Sequence, residues 1–128
     1  MFKHFETMSF VYDKKDKYTL VKSTTDKLDG NISPLLKSEL VGISAQGEKN
    51  IIIDLSETRY CDSSGLSAML VGNRLCKNAR GSFIITGLQT SVKKLISISQ
   101  LDTILKITPT VNEAIDLLYM DEIERELE

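Results

Sequence analysis

Two adjacent serines follow an acidic residue in the segment Asp62-Ser63-Ser64, and these side chains are the best candidates for chemistry in this sequence. The segment lies shortly after the apolar run Asn50–Leu55 and directly before an apolar stretch that begins at Gly65. In open α/β sheets, sites collect at the carboxyl ends of strands, and a helix that begins there has free N–H groups and a partial positive charge. Such a position tolerates an anion. A serine hydroxyl here can therefore be a helix cap, a nucleophile or an acceptor of phosphate.

These three roles differ in what else they require. A cap needs only the right residue type; Asp62, Ser63 and Ser64 all qualify, and a cap contributes about 1 kcal/mol. A nucleophile needs a base, but Cys61 replaces the first glycine of the hydrolase pattern G-x-S-x-G, and no histidine follows His4. The phosphate-binding pattern G-x-x-x-x-G-K-[ST] is also absent. We therefore expect no catalytic residue and no enzymatic activity, with a small serine hydrolase as a remote alternative.

The cysteines and the single histidine do not form a metal-binding pattern. Cys61 and Cys76 lie fifteen positions apart, which matches no zinc motif, and His4 cannot supply the missing ligands. We expect both cysteines to be small buried side chains. The sequence predicts neither a metal site nor another cofactor.

Apolar periodicity predicts strands that alternate with helices. Runs of aromatic and β-branched residues predict strands, and apolar positions three or four apart predict helices. The predicted strands are Phe5–Tyr12, Tyr18–Thr25, Asn50–Leu55, Ser82–Thr86 and Ile104–Ile107. The predicted helices begin at a Ser33 cap followed by Pro34, at Gly65, at a Ser91 cap and at Pro109. Gln46–Glu48 is expected to end the first helix, and Gly81, helped by Asn78, the second. The last helix is expected to have an acidic, solvated end at Asp121–Glu128 that is frayed at its tip.

This order of elements predicts an α/β fold with a mixed, mostly parallel sheet packed by about four helices. The charged run 13–17 lies between the first two strands and predicts an antiparallel N-terminal hairpin. Asn50–Leu55 is almost continuously apolar, as in a strand buried on both faces. The length of 128 residues fits a single domain, with a core at about residues 5–119 and an acidic helix end at 120–128.

The overall composition excludes several classes of protein. The net charge of −2 is too small and of the wrong sign to coat nucleic acid, and 41% hydrophobic residues are too many for a disordered chain. No apolar run approaches the ~18–20 residues of a membrane helix. The start, Met1–Phe10, contains charged residues and is no signal peptide. We therefore expect a cytoplasmic protein that neither binds nucleic acid directly nor inserts into membranes.

The segment Asp62–Leu66, placed after the strand Ile51–Leu55, resembles the STAS domain of bacterial anti-sigma factor antagonists. Other positions extend the resemblance from about Tyr18 to the last helix: Leu28-Asp29, Gly81, Phe83–Ile85, Gly87, Val92, Lys94–Ile96, Leu101, Ile104 and Ile107. Two positions depart from the family pattern. Asp26-Lys27 precedes Leu28 where the family often has a glycine, and Ser67 stands where another glycine is common. Both departures lie near the expected partner face.

The resemblance implies a single STAS domain that works as a phosphorylation switch. In that family, a partner serine kinase of the GHKL-type ATPase fold is also the anti-sigma factor, and it phosphorylates the first serine after the aspartate. That serine corresponds to Ser63, with Ser64 as the lesser candidate. The unphosphorylated form binds the kinase and frees the sigma factor, the phosphorylated form dissociates, and a serine phosphatase resets the system. The implied partner face consists of Asp29, Asp62, Ser63, Ser64, Gly65, Leu66 and Ser67.

Two questions remain open from the sequence. The domain could instead be a structural STAS subunit of a larger signalling assembly or of a membrane transporter. The apolar helix that begins at Leu66 could be enclosed in the core, or it could expose Ser67, Met69 or Leu70 to a partner. A phosphate on Ser63 would change the formal net charge from −2 to about −4, concentrated at one helix end.

Overall fold

A six-stranded mixed sheet, flanked by helices on both faces, forms the body of the protein. The computed structural model describes residues 4–6 and 9–128. The strands are β1 (His4–Glu6), β2 (Phe10–Lys14), β3 (Thr19–Ser23), β4 (Lys27–Leu28), β5 (Ile51–Asp54), β6 (Tyr60–Cys61), β7 (Phe83–Thr86) and β8 (Lys106–Thr108). The helices are α1 (Ser33–Ala45), α2 (Ser63–Asn78), α3 (Thr90–Ile98) and α4 (Val111–Glu126), with a 3₁₀ turn at Leu101–Thr103.

The sheet has the strand order β1-β2-β3-β5-β7-β8. Strands β1, β2 and β3 are antiparallel neighbours, whereas β3, β5, β7 and β8 run parallel. This confirms the α/β fold, the N-terminal hairpin, the parallel remainder and the four helices. The single first strand predicted at Phe5–Tyr12 is wrong, because Phe5 pairs with Tyr12 across β1 and β2. The aromatic and β-branched composition predicts extended structure but does not reveal this reversal of the chain.

The two faces of the sheet carry separate apolar clusters. Ile51 and Ile53 of β5 face α1, α2 and α3, while Ile52 faces α4 beside Ala114 and Leu118. All three isoleucines are fully buried, which confirms the strand predicted to be covered on both sides. Full burial of a side chain of this size stabilises the fold by roughly 1.5–3 kcal/mol. Helices α2 and α4 therefore lie on opposite faces of the sheet.

The serines predicted to cap α1 and α3 are not the caps of these helices. The N-cap of α1 is Ile32, and Ser33 lies inside the helix, fully buried, with Pro34 in the first turn. The N-cap of α3 is Gln89, and the Ser91 hydroxyl donates to the carbonyl of a residue before β6. Both serines are instead used in contacts between elements, which residue type alone does not reveal.

Tight backbone contacts set the end of α2. The helix ends at Asn78, and Arg80 takes the left-handed conformation with φ 60°. A Cβ atom at Gly81 would lie 1.7 Å from the carbonyl oxygen of Lys49. Gly81 is therefore needed for close backbone approach, whereas the left-handed turn is made by the residue before it.

The last helix begins later and is better anchored than the sequence predicts. Thr110, one residue after the predicted start, caps α4 by accepting a hydrogen bond from the Glu113 amide at 3.2 Å. The helix runs to Glu126, so only Leu127 and Glu128 lie beyond it. The acidic end is not simply solvated, because Asp121, Glu122 and Arg125 are only partly exposed. The preceding strand lies at Lys106–Thr108 instead of Ile104–Ile107, because the amides of Ile104 and Leu105 both bond back to the Leu101 carbonyl in the turn that closes the 3₁₀ segment.

Two buried polar side chains tie the end of α4 to the sheet. Asn50 accepts from the Ser82 amide at 2.8 Å and donates to a carbonyl of the β2–β3 turn at 3.0 Å. The Ser82 hydroxyl donates to Asp121 at 2.9 Å and accepts from Arg125 at 2.5 Å. Both Asn50 and Ser82 are 2% exposed. The charged side chains of the C-terminal segment are therefore partly directed inward.

Among the described residues, no helix combines the length and hydropathy needed to cross a bilayer.

Candidate partner-binding surface at the start of helix α2

A separate two-stranded sheet brings the two sequence-predicted acidic positions together. Strands β4 and β6 pair in parallel, with Leu28 opposite Cys61. The residues that follow them, Asp29 and Asp62, therefore leave the same edge, and the Asp62 amide donates to the Leu28 carbonyl at 3.3 Å. This confirms that the Asp29 loop lies beside the serine segment. Strands of two residues give no periodic signal, so sequence patterns do not predict this pair.

Gly65 allows α2 to begin directly against this small sheet. A Cβ atom there would lie 2.4 Å from the Cys61 sulfur and 2.8 Å from the Leu28 carbonyl oxygen. Leu66, the next residue, is 7% exposed and belongs to the main apolar core. Gly65 and Leu66, both predicted on the partner face, thus position the first turn of α2 while their own atoms are mostly buried.

Cys61 is buried beneath the same turn. Burial, reinforced by the nearby Asp62 carboxylate, raises the pKa of its thiol to about 12. Burial also raises the pKa of Cys76 to about 12. Both thiols are therefore protonated at neutral pH, and the prediction that they are buried is confirmed. In the part of the chain that the structure describes, no group of three His, Cys, Asp or Glu side chains is arranged to hold a metal ion.

Asp62 is the N-cap of α2. Its Oδ1 atom accepts from the Ser64 amide at 2.9 Å, the Gly65 amide at 3.3 Å and the Ser64 hydroxyl at 2.5 Å. The hydrogen bond from the Ser64 hydroxyl has the largest effect on the pKa of this carboxyl, and bonds from backbone N–H groups, including that of Gly30, add to it. Together they hold the pKa below its usual value. The helix start is therefore capped by an ionised carboxylate, so neither serine is needed as the cap.

The Ser64 hydroxyl is held between two elements. Its oxygen lies 2.5 Å from Asp62 Oδ1 and 3.1 Å from the Ser33 hydroxyl. A hydroxyl has one proton, so Ser64 can donate to only one of these two oxygens at a time, and the carboxylate is the stronger acceptor. Since Ser33 is fully buried at the start of α1, Ser64 joins the first turns of α1 and α2.

Ser63 differs from Ser64 in every respect that matters for modification. It is the first residue of α2, its side chain is exposed, and no partner for its hydroxyl is present among the described residues. The capping carboxylate of Asp62 precedes it by one residue. Of the two adjacent serines, only Ser63 thus presents a free hydroxyl to solvent.

The surface around Ser63 is mainly polar, with small apolar contributions. Ser67 and Leu70 are partly buried on α2. Met69 is fully buried, so the suggestion that it forms an exposed patch is wrong. Helix α2 buries one side against the core and leaves the other side accessible to solvent.

Asp29 also stabilises the loop that faces Ser63. Its Oδ1 atom accepts from the Asn31 amide at 3.0 Å, and its carbonyl accepts from the amides of Ile32 and Ser33. These bonds close the turn that leads into α1. The two acidic residues therefore fix the backbone of the Asp29 loop and of the first turn of α2, where the exposed serine lies.

The fold and this site define a class of α/β domain in which a helix that starts beside a two-stranded parallel sheet presents a free serine hydroxyl. The STAS domain family model matches residues 13–114. The chain belongs to the STAS domain family.

Relatives with this domain carry related names. BtrV of Bordetella bronchiseptica, which its name assigns provisionally to the anti-sigma factor antagonists, is 26% identical over 91 residues, covering 62% of this chain and 78% of BtrV. An anti-sigma factor antagonist from Mycobacterium paratuberculosis is 19% identical with a TM-score of 0.78, covering 87% of this chain and 93% of that one.

The Bacillus protein SpoIIAA is a second similar solved structure. Its unphosphorylated form is 20% identical with a TM-score of 0.74, covering 87% of this chain and 96% of SpoIIAA. A structure of its phosphorylated form also matches, with a TM-score of 0.66. At these identities, the likeness to the solved structures concerns the fold.

Proposed function

We propose that this protein is an anti-sigma factor antagonist whose binding is controlled by phosphorylation of Ser63. The observation that carries the proposal is the contrast between two neighbouring serines. The Ser63 hydroxyl is exposed and free among the described residues, whereas the Ser64 hydroxyl is held by Asp62 and Ser33. The names of BtrV, the mycobacterial protein and SpoIIAA support the same function.

The proposed partner is a serine kinase of the GHKL-type ATPase fold that also acts as the anti-sigma factor. It would contact Ser63, Ser64 and Ser67 together with the Asp29 loop, while Asp62, Gly65 and Leu66 hold this surface in shape. Phosphoryl transfer would join the Ser63 oxygen to the γ-phosphorus of the partner's ATP, release ADP and pass the hydroxyl proton to a base on the partner. A serine phosphatase would restore the free hydroxyl.

Phosphorylation would act on this surface without changing the fold. The Ser63 hydroxyl makes no bond among the described residues that a phosphate would break, and Asp62 already caps the helix. A phosphate adds about −1.5 to −2 charge beside that carboxylate. The partner would then have to desolvate two adjacent negative groups, which costs several kcal/mol when they are imperfectly paired. A loss of ~3–4 kcal/mol corresponds to a few hundred-fold weaker binding.

The proposed role requires binding and no catalysis by this chain. We assign it to a single domain over residues 1–128, with its core at about 5–119, acting in the cytoplasm. It involves no direct contact with nucleic acid and no insertion into a membrane.

Site mapping after phosphorylation tests the proposal. The protein is incubated with ATP and each kinase-like anti-sigma factor encoded in the same genome, and modified peptides are located by mass spectrometry. We expect one phosphate on Ser63, none in Ser63→Ala, and normal modification in Ser64→Ala and in the exposed-serine control Ser97→Ala. Phosphate on Ser64 alone, or on neither serine, would refute the proposed switch and favour a structural role within a larger assembly or transporter.

A further inference from the structure

Helix α4 has an inverted distribution of polar and apolar side chains in its last turns. The inward side carries charged groups, with Arg125 bonded to Glu122 at 2.7 Å and Asp121 to Lys106 at 2.5 Å. The outward side carries Met120, Ile123 and Leu127, which are 60%, 58% and 82% exposed. The spacing of three and four residues places these apolar side chains on one stripe.

This stripe is presented by a firmly held helix. Asp121 and Arg125 meet at the buried hydroxyl of Ser82, and Glu122 receives a weak bond from buried Asn50 at 3.4 Å. The inward polar contacts fix the rotation of the helix about its own axis. The apolar stripe therefore cannot turn inward without breaking them.

The charges around the stripe select the kind of partner. The exposed charged side chains of α4 are all acidic: Glu113, Asp116, Glu124 and Glu126. The one cationic side chain of the helix, Arg125, is turned inward and paired. The cations that neighbouring elements bring to this end of the helix are each paired with a carboxylate there: Lys49 with Glu122, Arg80 with Glu128 and Lys106 with Asp121. Two copies joined antiparallel through this stripe would bring acidic flanks together, and an anionic bilayer or a nucleic acid would be repelled. A surface that complements it is apolar at its centre and basic at its edge.

We propose that Met120, Ile123 and Leu127, with the acidic residues beside them, form a second protein-docking surface for an amphipathic helix edged by lysine or arginine. When a helix docks on a protein surface, apolar side chains three and four residues apart make the central contacts. Opposite charges at the rim set the orientation and the choice of partner. The surface lies across the sheet from α2, and its residues come from the end of α4, whereas Ser63 begins α2. A partner bound here would therefore be insensitive to the charge on Ser63.

A synthetic helical peptide provides the probe, with leucines on one face and lysines on both flanks. Its binding to the full chain is followed by fluorescence anisotropy and compared with that of a peptide whose lysines are replaced by glutamates. We expect saturable binding of the lysine peptide to the native protein. The glutamate peptide should bind the native protein at least about tenfold more weakly, and the double variant Met120→Ser/Ile123→Ser should bind the lysine peptide at least about tenfold more weakly. The matched control Val41→Ser/Ile98→Ser removes comparably exposed apolar side chains from α1 and α3, on the other face of the sheet, and should bind as the native protein does.

Three results would overturn this inference: no binding of the lysine peptide, equal binding by Met120→Ser/Ile123→Ser, or self-association of the native protein that this double variant abolishes. Ser63→Asp should leave peptide binding unchanged. Conversely, Met120→Ser/Ile123→Ser should still be phosphorylated on Ser63, so a failure here is distinguishable from a failure of the proposed switch. Thermal unfolding of each variant checks that the fold is retained.

Discussion

Replacement of Gly65 by alanine probes the packing that positions Ser63. The added Cβ atom would lie 2.4 Å from the Cys61 sulfur and 2.8 Å from the Leu28 carbonyl oxygen, and the second atom belongs to the backbone of a paired strand. Relief therefore requires the first turn of α2 to move away from β4 and β6. Overpacking of this kind costs roughly 1–3 kcal/mol, and it is opposed by the gain in helix propensity of up to ~1 kcal/mol.

Gly42→Ala supplies the matched control, because Gly42 lies in the interior of α1 and an added Cβ atom there has no neighbour within 4 Å. We expect Gly42→Ala to raise the free energy of unfolding by roughly 0.5–1 kcal/mol. We expect Gly65→Ala to lower it by about 1–2 kcal/mol, measured by urea denaturation with unchanged m-value. The rate of Ser63 phosphorylation should also fall for Gly65→Ala alone. If Gly65→Ala proved as stable as Gly42→Ala, the close approach described for α2 would be incorrect.

Three further predictions concern groups that the structure holds in particular states. Asn50→Ala should lower the free energy of unfolding by roughly 1–3 kcal/mol in chemical denaturation, since it leaves the buried Ser82 amide unbonded, whereas Asn112→Ala on the surface should change it little; equal effects would contradict the structural role of the buried Asn50 side chain. Cys61 and Cys76 should react with a thiol reagent at neutral pH only as the protein unfolds, as read by absorbance. Folding lowers the pKa of Asp62, so this carboxyl should contribute its full stabilisation at pH values above its pKa in the unfolded state. That contribution should be lost as the pH falls through the lower pKa of the folded state. The free energy of unfolding of Asp62→Asn, measured across the same acid range, should lack this pH-dependent component.

The long elements were predictable because their signals are local and repeated. The apolar run of β5 and the spacing along α2 specify element type from neighbouring residues alone. The helix caps Ser33 and Ser91 were predicted wrongly, since both hydroxyl groups bond to partners 31 and 32 residues away. The inward charges of α4 depend in the same way on Ser82, which is 39 residues from Asp121. Side-chain bonds between distant segments leave no periodic trace in the sequence.

At the candidate site, the sequence indicated the segment but not the division of roles within it. Asp62, Ser63 and Ser64 were equivalent as caps by residue type. Their separation into a cap, a free hydroxyl and a bridge to α1 depends on the two-residue strands that pair Leu28 with Cys61. Such short strands are set by tertiary packing, so their effect becomes visible only in the folded structure.

Calorimetric titration of the kinase-like partner with two forms of this protein tests the central claim most directly. The protein phosphorylated on Ser63 should bind a few hundred-fold more weakly than the unphosphorylated protein, as expected for ~3–4 kcal/mol of unfavourable charge burial. Amide NMR shifts should change chiefly around residues 29–31 and 62–67, with the fold retained. Equal affinities of the two forms, or a large rearrangement of the backbone on phosphorylation, would contradict the account.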